Sequence, residues 1–364
     1  MAAKLRVGII GANLQGSWGA WAHLPALAAL DGFEASAVAT SHLASAQATA
    51  AAFGITHAFD DPRALAEHPD VDVVTVCVRV PAHRELVMLA LDAGKHVYCE
   101  WPLGRDTAEA TELQRAADAR GVVAMVGLQA RSAPVLNYVR DLIADGSIGT
   151  VRSAALTHSA DWLSTPYPSM AYLHDRSSGA HFLSIPGGHS IDALCWLLGE
   201  FDTLSATVKT AVSAVTVAGS GETITRTSAD HVLVAGELTG GVVASVRLSG
   251  ASSPGTGIAL EISGDTGDLV VRTAPGGRMI QMSDLQLFRT TGMGELVEMP
   301  VPDRYFHVPA AIRSGPPLNV GEAYLHMADA IAGARAATPG FADAVARHAT
   351  LDRIEEAART GRRC

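Results

Sequence analysis

Gly11-Ala12-Asn13-Leu14-Gln15-Gly16 follows directly on the β-branched run Leu5–Ile10, and that spacing carries a chemistry. A glycine-rich turn between a strand and a helix lets backbone N–H groups approach a pyrophosphate, whose charge the helix N-terminus favours. Gly11 and Gly16 fill the first and third positions of a GxGxxG pattern. Asn13 stands at the second, where a side chain crowds the phosphate, although asparagine tolerates left-handed backbone. Gly11, Asn13, Leu14, Gln15 and Gly16 are expected to hold a dinucleotide; the alternative is a tight turn without ligand. Roughly 20 residues on, a carboxylate would take the ribose 2′-hydroxyl of NAD. The second apolar run ends Thr40-Ser41-His42, with no acid and no arginine to hold a 2′-phosphate. Those small hydroxyls and the imidazole leave room for that phosphate, so the expected cofactor is NAD(P), leaning to NADP.

Other chemistries lack their residues. His181 and His189 are not at helix-face spacing and no acidic cluster accompanies them, so no metal is expected. No GxSxG elbow marks a hydrolase. A formal net charge of −10 without a long basic run argues against nucleic acid. No segment approaches the roughly 20 unbroken apolar residues that span a bilayer. Cys77, Cys99, Cys195 and Cys364 form no CxxC framework, and the Leu5–Ile10 run is short for a signal core. A reduced, cytoplasmic setting is expected.

The 364 residues suit two domains. Leu5–Ile10, Phe33–Ala39, Val71–Val78, Lys95–Cys99 and Val122–Val126 are β-branched-rich runs, separated by helical patterns near Ala20–Leu30, Leu43–Phe53, Ala82–Ala93 and Thr107–Arg120. Strands apolar on both faces and alternating with helices predict an α/β, doubly wound Rossmann domain over residues 1–127. After it, helices at Pro134–Ala144 and Gly188–Leu198 flank a strand at Thr150–Ser159. Strands then succeed one another at Thr203–Val212, His231–Leu238, Val242–Leu248, Ile258–Ser263, Asp268–Thr273, Met279–Met282 and Leu285–Arg289. Turns such as Thr239-Gly240-Gly241 make hairpins of them. Residues 128–364 are therefore expected to be an α+β domain with a large, mainly antiparallel, open-faced sheet. Its closing helices, Ala323–Arg359, would pack back on the Rossmann domain. The open face suits a homodimer or homotetramer.

The motifs resemble the Gfo/Idh/MocA oxidoreductase superfamily. Besides the glycine loop, the likeness rests on Val80-Pro81-Ala82-His83, Ala93-Gly94-Lys95-His96-Val97-Tyr98-Cys99-Glu100-Trp101-Pro102-Leu103, Gly127-Leu128-Gln129-Ala130-Arg131, Gly187-Gly188-His189-Ser190-Ile191-Asp192 and Ile262–Leu269. Gly11–Gly19, His23-Leu24-Pro25-Ala26-Leu27 and Glu100-Trp101 resemble its Gal80-like branch more closely. The resemblance implies that Val80, His83, Glu100, Trp101, Pro102 and Gln129 join Thr40, Ser41 and His42 in binding the cofactor. It also implies a lysine after the glutamate, and an aspartate four residues before a histidine. Here those positions read Trp101 and Ile185, and the histidine is His189.

His189 is thus the candidate acid/base group, with a structural core histidine as the alternative. Asp192 lies one helical turn on and is expected either to orient that imidazole or to be an ordinary first-turn acid. Tyr172 is expected to offer a phenolic proton, or to be a loop tyrosine. Trp101 presents a flat wall to a ligand or fills core space. Gln129 and Arg131 follow the last Rossmann strand, where substrate and nicotinamide should meet; Arg131 would otherwise pair with an acid. Trp101, Arg131, Tyr172 and His189 are the expected substrate contacts. The implied activity is hydride transfer to or from a sugar, cyclitol or related carbonyl. A catalytically silent dinucleotide-binding regulator is the second reading.

Overall fold

The computed structural model describes residues 4–163, 166–251, 255–290 and 294–364. The chain divides into two compact units: residues 1–129 with 306–346, and residues 130–305 with 347–364. A single cut after Gly127 would leave Phe306–Ala346 with the second unit; the structure groups it with the first.

The first unit contains β1 (Leu5–Ile10), α1 (Leu24–Ala29), β2 (Phe33–Ala39), α2 (Leu43–Phe53), β3 (His57–Phe59), α3 (Pro62–Ala66), β4 (Val73–Val76), α4 (His83–Asp92), β5 (His96–Glu100), α5 (Thr107–Arg120) and β6 (Ala124–Gly127). Its strands form one parallel sheet in the order β3-β2-β1-β4-β5-β6. That order places the ends of β1 and β4 side by side at the reversal point, where ligands of doubly wound sheets bind. The helices end where the sequence allows. Asp106 caps α5 by accepting the Glu109 N–H at 2.9 Å, and Gly121 closes it at φ +63°. The pattern near Ala20–Leu30 becomes a π-helical turn, Gly19–His23, leading into the short α1.

In the second unit, α6 (Pro134–Ala144), β7 (Val151–Ser159) and α7 (Gly188–Leu198) precede β8 (Phe201–Lys209) and the small hairpin β9 (Ala214–Thr216) and β10 (Thr223–Thr225). There follow β11 (His231–Leu238), β12 (Val242–Ser249), β13 (Gly257–Gly264), β14 (Asp268–Thr273), β15 (Leu285–Thr290) and β16 (Val297–Met299). Eight of these strands form one sheet, β16-β15-β14-β13-β7-β12-β11-β8, antiparallel at every step except β7–β12. Val232, Val234, Ala244, Val246 and Leu248 are buried, whereas Leu233 and Val243, on the other face, are 53% and 62% exposed. Met279–Met282 is not the expected strand. Ser283 Oγ accepts the amides of Arg278 and Met279 at 3.1 and 3.3 Å, which folds the segment into turns.

The closing helices are α8 (Pro316–Ile331) and α9 (Phe341–Thr360). α8 packs on α1 within the first unit, whereas α9 has its first residues in that unit and Arg347 onward in the second. Among the described residues no helix is long and apolar enough to cross a membrane.

Candidate functional site

Gly11 holds the loop after β1 in shape. Its φ is +104°, and a Cβ there would lie 2.4 Å from the Cys77 carbonyl oxygen, so only glycine fits. Gly16 also has positive φ, +90°, but a Cβ there would meet nothing within 4 Å. Asn13 does not use the left-handed backbone it can tolerate; no described non-glycine residue has positive φ. Its side-chain oxygen instead accepts the Gln15 N–H at 3.0 Å, while its own N–H donates to Ser17 Oγ at 2.8 Å. That turn leaves Leu14, Gln15 and Gly16 exposed. The N–H groups of Gly11, Asn13, Gln15 and Ser17 are spent on Ala39 and within the loop, so a dinucleotide phosphate at the sheet's reversal point would meet the exposed turn Leu14–Gly16. After β2, the Thr40 hydroxyl donates to the His42 carbonyl at 2.9 Å, and Ser41 and His42 are exposed.

A polar chain runs beside the end of β5. Glu100 Oε1 accepts from His23 Nε2 at 2.9 Å, and Gln129 Nε2 lies 2.7 and 2.8 Å from the two carboxylate oxygens. His23 Nδ1 lies 2.8 Å from the Tyr324 hydroxyl, which is 2.9 Å from Thr75 Oγ1. His23, Thr75 and Tyr324 are fully buried, while the Glu100 side chain keeps 13% exposure. With His23 donating to Glu100 and accepting from Tyr324, a neutral imidazole satisfies every contact of the chain.

The neighbouring candidates are buried differently. Trp101 is 4% exposed and precedes a cis peptide to Pro102. Val80 begins a 3₁₀ turn after β4. His83 was expected to line the cofactor crevice, but both of its nitrogens face backbone carbonyls: Nδ1 that of Pro102 at 2.8 Å, Nε2 that of Val78 at 3.0 Å. It ties the strand ends together. Burial lowers its pKa against the pull of those carbonyls.

In the second unit, a π-helical turn, Leu183–Gly187, leads into α7, on which His189 is 3% exposed. Asp192, read as either an orienter of His189 or a first-turn acid, is held by Arg131, whose alternative role was to pair with an acid. Arg131 donates through Nε and Nη2 to the two Asp192 oxygens at 2.8 and 2.7 Å, and Arg347 Nε reaches Oδ1 at 3.2 Å. Burial pushes the Asp192 pKa up, yet the two guanidinium groups hold it below the usual carboxylate range. Arg347 continues to Glu200 at 2.6 Å. Behind α7, His158 Nδ1 lies 2.9 Å from Ser190 Oγ, and burial drives the His158 pKa down to about 4. Tyr172 is half-buried in a 3₁₀ segment, Pro168–His174. The segment is anchored by Ser228 Oγ donating to the Leu173 carbonyl at 3.0 Å and by Arg226 donating to His174 Nδ1, also at 3.0 Å.

Residues 5–128 match the model of the Gfo/Idh/MocA oxidoreductase family, NAD-binding Rossmann fold, and residues 134–273 match that of the Gal80p C-terminal domain. Residues 5–128 thus belong to the Gfo/Idh/MocA family, and the segment after them is Gal80p-like. The chain's relatives divide in activity. Dehydrogenase aclE of Aspergillus oryzae is 36% identical over 212 residues, 57% of this chain and 58% of that one. The chain thus spans little more than half of that relative. The galactose/lactose metabolism regulatory protein GAL80 of Kluyveromyces lactis is 28% identical over 309 residues, 78% of this chain and 66% of that protein. A solved levoglucosan dehydrogenase in complex with NADH and L-sorbose has a TM-score of 0.84 at 23% identity, covering 100% of this chain and 98% of its own, which shows the shared fold.

Within this chain, the structure brings Glu100 and Gln129 together and joins Arg131 to Asp192. Sequence reasoning assigned no role to His23, Thr75, Tyr324, His158 or Arg347. His23 had a local signal, its place in His23-Leu24-Pro25. Tyr324 had none, because it meets His23 from 301 residues away.

Proposed function

We propose that the protein is an NAD(P)-dependent oxidoreductase acting on a sugar or related polyol. The observation that carries this reading is the Gly11 cradle, in one unit with the Glu100–His23 pair. Gly11, Asn13, Leu14, Gln15 and Gly16 hold the pyrophosphate, and Thr40, Ser41 and His42 face the adenosine ribose with room for the NADP phosphate. Val80, Glu100, Pro102 and Gln129 border the nicotinamide end. When bound, NAD(P) supplies a hydride acceptor or donor. This chain's residues supply the rest.

Position 101 carries an indole in place of the amine that the family likeness implies, so in the first unit proton handling falls to Glu100 backed by His23. Glu100, whose side chain keeps 13% exposure, is the end of the pair nearer solvent. His23 donates to its carboxylate and, through Tyr324 and Thr75, has a second hydrogen-bonded path on which to hold a proton. Trp101 excludes water and offers a flat face to a sugar ring. In the second unit His189 is the acid/base group, with Tyr172 as a further hydroxyl donor to the substrate.

The test follows the absorbance of the reduced nicotinamide over a panel of sugars and polyols, with NAD⁺ and NADP⁺ and in both directions. Turnover is expected with at least one polyol. His189→Ala and His23→Gln should each lower kcat by about 10²–10⁴-fold, the usual contribution of a general acid or base. Silence with every compound, in both directions, sinks this reading. It would favour the second one, a dinucleotide-binding regulator, which the apolar Trp101 and Ile185 and the fully engaged Asp192 carboxylate support.

A second copy of the chain would cover the outward face of the large sheet. There Leu233 and Val243 stand beside Arg247 and Glu237 on paired strands. A dimer or tetramer is expected in sedimentation, and Leu233→Asp should shift it to monomer. An unchanged sedimentation coefficient would place the contact elsewhere.

A further inference from the structure

We propose that His57, His68 and Asp70 form a binding site for a borderline transition-metal cation such as Zn²⁺ or Cu²⁺, at the β3 edge of the first unit. One donor atom from each of the three lies within 4.8 Å of the other two. His57 Nε2 is 3.2 Å from Asp70 Oδ2, and the two imidazole centroids are 4.1 Å apart. Two donors at 2.0–2.1 Å from a tetrahedral cation stand about 3.3 Å apart, so the His57–Asp70 pair already has the separation that coordination needs. The third donor closes in by rotation of the His68 side chain, in the turn after α3.

Arg6 forms a two-pronged pair with Asp72, through Nε at 3.0 Å and Nη2 at 2.8 Å, and spends only its remaining Nη1 on Asp70 Oδ1 at 2.7 Å. Arg6 thus spends two of its three guanidinium contacts on Asp72 and leaves Asp70 Oδ2 to the His57 imidazole. Lys95 directs its ammonium to the carbonyls of His68 and Val71 at 3.1 and 2.7 Å. The Phe59 ring closes one side, 6.4 Å from His57 and 5.7 Å from His68. The Asp70 side chain is 50% exposed and that of His57 28%, so a cation can enter from solvent. Coordination replaces the imidazole–carboxylate contact and the Asp70 N–H bond to His68 Nδ1, which is 3.1 Å long. Two imidazoles and one carboxylate select zinc, copper or nickel over magnesium or calcium.

Among the described residues, the other cluster with metal-ligand types, His23, Cys77 and Glu100, is a poorer candidate. Its imidazole and carboxylate are closed by Tyr324 and Gln129, and burial drives the Cys77 thiol well above its ordinary pKa. The His57 site does not depend on the oxidoreductase reading. Sequence spacing hides it, because His57 lies on β3 and His68 and Asp70 lie after α3.

Chelator-treated full-length protein is titrated with Zn²⁺ by calorimetry and with Cu²⁺ by electron paramagnetic resonance. One saturable site is expected, with copper hyperfine structure from two nitrogens, no response to Mg²⁺, and release on acidification. His57→Ala and His68→Ala should each remove one nitrogen from the spectrum, and Asp70→Asn should weaken zinc binding at least about tenfold. The wild-type spectrum is decisive even if a variant folds poorly. No saturable site, fewer than two nitrogens, or a spectrum indifferent to both histidine variants would overturn the proposal.

Discussion

Asp192→Asn is expected to destabilise the second unit by about 3–5 kcal/mol, the usual cost of removing one partner from a buried ion pair. The Asp192 side chain is 1% exposed and that of Arg347 fully buried. Arg131 and Arg347 both point their donors at the Asp192 carboxylate. The amide keeps one acceptor oxygen but loses the charge and turns an N–H group towards guanidinium. Glu200 compensates only at the far end of Arg347. Trp196, on the same helix as Asp192 and stacked under Arg140 at 4.7 Å to the ring centroid, gives a fluorescence report of this unit's unfolding. The denaturation midpoint should fall at neutral pH. Because the folded pKa of Asp192 is depressed, its stabilisation is complete above the unfolded carboxylate value, about 3.9. It is lost as pH drops through the lower folded value. The gap between wild type and variant should therefore persist through neutral pH and narrow only below about pH 4. A loss under about 1 kcal/mol at pH 7 would mean that the pair is no stronger than a surface bridge.

That network also shows where sequence reading stops. The i, i+3 spacing of His189 and Asp192 predicts a shared helix face, and α7 supplies the helix. What it cannot predict is that Arg347 arrives from α9, 155 residues later, and that the Asp192 carboxylate is held by two guanidinium groups. Charges choose partners by three-dimensional proximity, and local periodicity carries no record of it. The same holds for His23 and Tyr324. By contrast, elements fixed by local chemistry were legible to the residue. The α2, α5, α6, α7, β1, β2, β11 and β14 bounds coincide with apolar periodicity bracketed by glycine, proline or a capping acid.

Misses cluster where elements are short or where a strand's partner comes from far away. β3 has three residues, and β9 and β10 three each, too few for a period to register. β7 inserts between β13 and β12, making the one parallel pair of a sheet expected to be mainly antiparallel. Sequence order sets which strands form hairpins, whereas the long connection after β7 lets that strand enter the middle of the sheet.

The glycine loop permits the sharpest test of the cofactor site, because its two end glycines are constrained for different reasons. Gly11→Ala meets both a φ of +104° and a Cβ position 2.4 Å from the Cys77 carbonyl oxygen and 2.7 Å from Val78 Cγ1. Gly16→Ala meets a φ of +90° with nothing within 4 Å. An unfavourable φ costs about 1–3 kcal/mol, and the clash adds a backbone shift of similar cost. The shift moves the end of β4 as well as the loop, so Gly11→Ala should weaken NAD(P) binding by about 100-fold or more, about 2.7 kcal/mol. Gly16→Ala should lose about tenfold. Calorimetry with NAD⁺ and NADP⁺ on both variants reads the difference directly. Equal losses would show that steric fit against Cys77 is irrelevant. Wild-type affinity in Gly11→Ala would show that the dinucleotide does not use this cradle.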